Sequence, residues 1–163
     1  MTKQVSISML KEDNKIYDEF IEVPVDYDEQ EHIIKVYPYF KPTKVQKLVD
    51  SLVDFYKSAQ EENISIPKEE ESDIIAYFIV KFFTDVKFAN SKKAKTMYDE
   101  FKIVLNAKIF QFIFKLFPED SIKEVHERIN DVIEASQRIQ LVDKQIHKTV
   151  AELQLESKKH LKK

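Results

Sequence analysis

Four histidines, two runs of carboxylates and one lysine cluster are the residues in this 163-residue chain whose chemistry could serve a reaction or a ligand. A zinc-binding helix face needs two histidines four residues apart, because that spacing sets both imidazoles on one side of the helix. His32, His126, His147 and His160 lack it, and the residue four after His126 is Asn130. The acids Asp18-Glu19 and Glu69-Glu70-Glu71 could supply a general acid and base, but that work needs carboxylates in a cleft with shifted pKa values. These lie in strongly polar stretches, and the glutamate triplet reads better as negative charge at a helix N-terminus. Lys87, Lys92, Lys93 and Lys95 flank Phe88 and could touch phosphates, yet arginine, the favoured base reader, occurs only at Arg128 and Arg138. The expectation is no catalytic residue, no cofactor and no metal.

The residue that is missing carries more information than those present. The chain has no glycine, where average usage of about 7% would supply roughly 11, so backbone shapes reserved for glycine are closed to it. Phosphate-cradling loops, dinucleotide fingerprints and glycine-framed nucleophile elbows all depend on such shapes. Cysteine is absent too, which removes disulfides and thiolate chemistry. A net charge of −3 gives no field to draw nucleic acid. Nothing at the N-terminus resembles a secretory signal, and the longest apolar run, residues 74 to 83, is broken by Lys81 and is too short for a bilayer. An intracellular site of synthesis is expected.

The elements that would position these residues follow from periodicity. Val5, Ile7 and Met9 alternate with polar residues, and Ile16 to Val23 follows a polar break. This predicts a hairpin turning at Asn14, the residue there best able to replace a glycine. A third extended segment, 32 to 37, stops at Pro38 and Pro42. Pro42 suits a helix start, and Val45, Leu48, Val49, Leu52, Val53, Tyr56 and Ala59 keep helical spacing after it. Residues 74 to 83 are apolar nearly all round, the mark of a helix surrounded by others. Beyond a connector at 84 to 91, Met97 to Leu116 fits one bent helix or two short ones, and Ser121-Ile122-Lys123-Glu124 is a capping box opening a long final helix. The fold class is α+β and predominantly α: a bundle of four to five helices, a small N-terminal antiparallel β-sheet and a long C-terminal helix. One domain is expected over 1–163, with a β segment at 4–40, a helical core at 42–118 and the long helix at 121–160.

The candidate binding residues belong to two places. Tyr37, Tyr39 and Phe40 sit among prolines, where they either cover a core edge or anchor an interface. A final helix of some 35 residues would be about 52 Å long, more than a domain this size spans, so its stripe Ile139, Val142, Ile146, Val150 and Leu153 either meets another helix in trans or folds back in cis. Ser136 and Asp143 interrupt the stripe. Charge is segregated as well. Residues 11 to 31 hold nine acids against two lysines, whereas Lys158, Lys159, Lys162 and Lys163 end the chain. These blocks are either solvated surface or the two halves of a head-to-tail contact between copies.

The proline corner Tyr37-Pro38-Tyr39-Phe40-Lys41-Pro42, the helix end Lys81-Phe82-Phe83-Thr84-Asp85, Tyr98-Asp99-Glu100-Phe101 and Phe117-Pro118-Glu119-Asp120 before a long helix together resemble a group of small structural and assembly proteins of tailed bacteriophages and prophages of low-GC Gram-positive bacteria. The likeness spans roughly residues 36 to 135, and its motifs are structural. It implies a non-enzymatic protein-protein assembly component of a tailed phage particle: a virion structural or head-tail joining protein, or a tail-assembly chaperone. It would reside in the virion or the host cytoplasm and bind phage structural proteins or copies of itself, with no membrane, nucleic acid or small-molecule substrate. The alternative is a prophage or host regulatory module that inhibits or adapts a single bacterial protein.

Overall fold

A chain without glycine must turn at residues that pay for a left-handed backbone, and three described residues do so: Asp28 (φ 55°), Glu29 (φ 59°) and Asn63 (φ 56°). The computed structural model describes residues 1–160, with side chains through Glu156. Asp28 and Glu29 connect β1 (Ile21–Tyr27) to β2 (Gln30–Val36), antiparallel in a register running from Ile21↔Val36 to Tyr27↔Gln30. Positive φ at both residues of a two-residue connection is type I′ hairpin geometry, usually the work of Asn-Gly. Asn63 ends α2 (Pro42–Glu61): the Ile64 N–H donates to the Ala59 carbonyl at 2.8 Å and the Asn63 N–H to that of Gln60 at 3.2 Å, a Schellman pair.

The hairpin expected around Asn14 is therefore corrected. Asn14 is right-handed (φ −69°), and residues 7 to 13 form α1 (Ile7–Asp13), followed by a 3-10 turn over Asn14–Asp18. Ser6 supplies the reason. Its extended backbone lets the side-chain oxygen accept from the Met9 N–H at 3.4 Å, a helix start that the period-two pattern had concealed. The β-branched residues Val23, Val25, Ile33, Ile34 and Val36 won the pairing instead.

The first unit of the chain, Met1–Val125, holds the core. Its hub is α3 (Glu71–Phe83), preceded by a 3-10 turn at Lys68–Glu70 and burying Ile74, Ala76, Tyr77, Phe78, Ile79, Val80 and Phe83. Around it pack α2, α4 (Ala94–Asn106) and α5 (Lys108–Phe114), so the region 97 to 116 is two short helices. Val45, Leu48, Val49, Leu52, Phe55 and Ala59 are the buried face of α2, with Pro42 in its first turn as the sequence requires. The connector after α3 extends the sheet: the Tyr37 N–H donates to the Phe83 carbonyl (2.9 Å), the Asp85 N–H to that of Lys35 (3.1 Å), and Val36 bridges Thr84. Phe40 stacks on Phe83 at 3.8 Å between ring centres and meets Phe117 edge-on at 5.3 Å.

The last helix, α6 (Glu119–His160), begins earlier than the expected capping box. The Ile122 N–H bonds the Pro118 carbonyl at 3.1 Å, placing Ser121 already inside the helix, and the buried Ser121 hydroxyl donates to the Pro38 carbonyl at 2.7 Å. Pro118 holds a φ suited to helix entry, and the acids Glu119 and Asp120 follow where the helix dipole favours them. At 42 residues the helix is about 63 Å long. A boundary between two compact units of the chain falls within it, the second unit starting at His126.

Candidate functional site

Three carboxylates, Glu62, Glu70 and Glu100, are occupied in holding elements of the fold together. Glu100 on α4 accepts the hydroxyl of the buried Tyr77 through one oxygen and the Ala89 N–H at 2.6 Å through the other, with Lys81 Nζ 3.8 Å away. Burial first, and then the Glu100 carboxylate, push the Tyr77 phenol well above its ordinary range. Glu70, centre of the acidic triplet, accepts from Lys102 and Tyr98, and these bonds hold its carboxyl below the usual range. Glu62, at the end of α2, supplies what α4 lacks. The N-cap of α4 is Lys93, which makes no side-chain cap, and the Glu62 oxygens accept the Ala94 and Lys95 N–H groups at 2.9 Å each. The Lys95 amide bond first, and the Ser58 hydroxyl next, hold the Glu62 carboxyl low. Each carboxylate thus satisfies amide or hydroxyl donors of a neighbouring element.

A cleft of about 240 Å³ lies beside this network, between Asp54 of α2, Phe78 and Lys81 of α3, the connector at Asn90 and Met97 of α4. The lysines Lys87, Lys92, Lys93 and Lys95 are all exposed, and Lys95 pairs with Asp99 at 2.8 Å on its own helix. Asp18 and Glu19 are exposed at the end of the 3-10 turn. Among the described residues no group of three or more His, Asp or Glu is placed to hold a metal ion, and no helix is long and apolar enough to cross a membrane.

What the molecule does offer is uncovered apolar surface. In the second unit Ile139 is 63% exposed, Val142 and Ile146 53% each and Val150 46%, with Leu153 also exposed. Val132, Ile139, Ile146 and Leu153 recur every seven residues, and Ile129, Ser136, Asp143 and Val150 form the companion row, three residues back along the helix. These are the d and a positions of a heptad, the spacing that keeps one helix face against another over several turns. Two salt bridges, Arg128 to Asp131 and Arg138 to Glu134, lie within the helix itself. Helices in proteins gain most of their stability from packing such a face rather than from intrinsic propensity.

The aromatic corner is a different case. Phe40 is buried, so it serves the core and is lost as an interface anchor. Tyr37 is half-buried against Phe20 at 5.9 Å, under Lys44, and Tyr39 alone of the three is exposed. Of the basic tail, Lys158 and Lys159 fall where only the backbone is described, and Lys162 and Lys163 lie outside the described residues. Sequence reasoning missed a second patch: Ile7 and Leu10 of α1, with Val5, Ile16 and Phe20, are exposed, and α1 buries none of its residues. The i, i+3 spacing of Ile7 and Leu10 after a serine was the available signal. Leu141 and Leu155, off the heptad seam, are exposed as well.

A family model described as YomO matches residues 7–162, nearly the whole chain. The SPbeta prophage-derived uncharacterized protein YomO of Bacillus subtilis (strain 168) is 25% identical over 126 residues, covering 77% of this chain and 73% of that protein. No solved structure matches.

Proposed function

We propose, from the premise that this chain belongs to the YomO family, that it is a phage- or prophage-encoded protein whose work is non-enzymatic protein-protein assembly. The origin is supported by the prophage relative. The mode of action is supported by one observation above others: the apolar positions of α6 from Ile133 onward that keep helical spacing remain exposed to solvent. Covering an aliphatic side chain contributes on the order of 1.5–3 kcal/mol, so a helix carrying several uncovered ones offers a partner a substantial gain. Carboxylates committed to holding α2, α3 and α4 together suit a scaffold better than a reactive centre.

Within that reading the role is assembly of a tailed phage particle, as a virion structural or head-tail joining protein or a tail-assembly chaperone, in the virion or the host cytoplasm. The test is affinity purification of the tagged full chain from phage-producing cells, with identification of bound proteins by mass spectrometry, beside sedimentation of mature particles. Recovery of phage structural proteins is expected. Co-sedimentation with particles then marks a structural component, and absence from them a chaperone. Stoichiometric capture of one host protein and no phage protein would replace assembly with a regulatory role.

A further inference from the structure

We propose that the heptad stripe of α6 pairs antiparallel with the same stripe of a second copy of this chain. The inference rests on the assembly reading in taking the stripe for an interface, and it adds the occupant and its direction. Ile139, Ile146 and Val150 are each about half exposed or more, on a seven-residue repeat that matches the left-handed winding of two helices, with the exposed Val142 beside it. The seam is nearly free of charge. Between residues 132 and 154 the flanking positions are Ile133, Ala135, Gln140, Val142, His147, Thr149 and Gln154, and the seam itself carries one acid, Asp143, and no lysine or arginine. A second copy therefore meets no like-charge barrier along the flanks.

Asp143 and the ends of the segment select the direction. In a parallel pair in register, Asp143 faces its own counterpart across one layer, two carboxylates taken from water side by side. Antiparallel pairing sets a against d, so each Asp143 lies beside an isoleucine at the rim and the two carboxylates fall in different layers, about one helical turn apart. The charges at the ends agree. By sequence, residues 123 to 134 hold four acids (Glu124, Glu127, Asp131 and Glu134) against Lys123 and Arg128, a net negative stretch even with Arg128 paired to Asp131, whereas residues 156 to 163 hold four lysines against Glu156. Antiparallel copies bring acid to base at both ends, and parallel copies bring like to like.

The absence of native cysteine makes the direction readable in the full-length chain. Purified protein is expected to have about twice the 19.4 kDa chain mass by sedimentation equilibrium, and to associate somewhat more weakly as salt is raised, because salt screens the end charges and leaves the apolar seam intact. Ile133→Cys and Gln154→Cys variants, mixed and oxidised, are expected to give a mixed disulfide, with neither variant cross-linking to itself. Ile146→Lys should abolish the dimer while the near-ultraviolet signal of the buried Tyr77 persists, which separates lost pairing from lost folding. Self-cross-linking of Gln154→Cys alone overturns the direction, and a chain mass of 19.4 kDa at every concentration overturns self-pairing. A strict monomer that still captures phage proteins leaves the assembly reading standing, so the two fail separately.

Discussion

Helix α3 and the stretch of α6 beyond Val125 are built from the same aliphatic vocabulary and meet opposite fates. Of the 13 residues of α3, seven are buried, and no polar face survives between Ile74 and Val80. Along α6 from His126 the stripe residues stand three or four apart with polar and charged residues between them, and from Ile133 to Glu156 every apolar residue is exposed. A helix apolar all round has its neighbours specified on every side, whereas a single stripe specifies one neighbour only. The first is an architectural commitment; the second is an offer.

The contrast can be broken most decisively by truncation. Ile79→Ala in α3 should cost about 2–5 kcal/mol of unfolding free energy, since a fully buried side chain leaves a cavity, and chemical denaturation would read it. Ile139→Ala, read at a dilution where the chain is monomeric, should move the same transition by less than about 0.5 kcal/mol, because nothing is emptied around an exposed residue. Equal costs would mean that the stripe is covered within the chain.

The next effect concerns the polar support of α3. Glu100→Ala leaves the buried Tyr77 hydroxyl and the Ala89 N–H without an acceptor, and a loss of about 1–3 kcal/mol is expected by denaturant titration. A raised tyrosine pKa also sets a sign. The folded state holds Tyr77 neutral, so its contribution is complete below the ordinary value of 10.0 and is lost as pH rises above it. Thermal midpoints measured up the alkaline limb should fall more steeply for the parent than for Tyr77→Phe.

Glu62→Gln gives a smaller shift. The folded pKa of this carboxyl is depressed, so the stabilisation it gives the start of α4 is present above the ordinary value of 4.5 and disappears as pH falls through the folded value. The midpoint difference between Glu62→Gln and parent should therefore narrow under acid. Smallest is a gain: Glu29→Gly at φ 59° removes the left-handed penalty at the hairpin tip, and a rise of roughly 0.5 kcal/mol is expected in the first unit, with the association of α6 unchanged.

Much of the fold is legible without coordinates where pattern and local chemistry agree. Pro42 at a helix start, most of the α2 face (Val45, Leu48, Val49, Leu52 and Ala59), the apolar run of α3 and the long final helix follow from spacing alone, whereas Phe55 is buried where the spacing pointed to Val53 and Tyr56. Legibility fails where two signals compete. Val5, Ile7 and Met9 alternate as a strand does, yet Ser6 caps a helix; Ser121 and Glu124 satisfy a capping box, yet Pro118 starts the helix a turn sooner. In both places the chain took the option that satisfied its backbone amides first. The candidate surface was half visible: the stripe of α6 can be read from its repeat, whereas the burial of Phe40 and the exposure of α1 cannot.

Residue order alone determined that this protein is helical, that reactive loops framed by glycine are closed to it, and where apolar faces run, because propensity and periodicity are properties of neighbours along the chain. Tertiary structure decided which of those faces are satisfied. Phe40 found Phe83, Ser121 found the Pro38 carbonyl and Glu62 found the open end of α4, each across a gap in sequence that no local rule spans. Ile139, Ile146 and Val150 stayed exposed. Burial is a property of whole surfaces brought together, and it is settled only when the chain has folded.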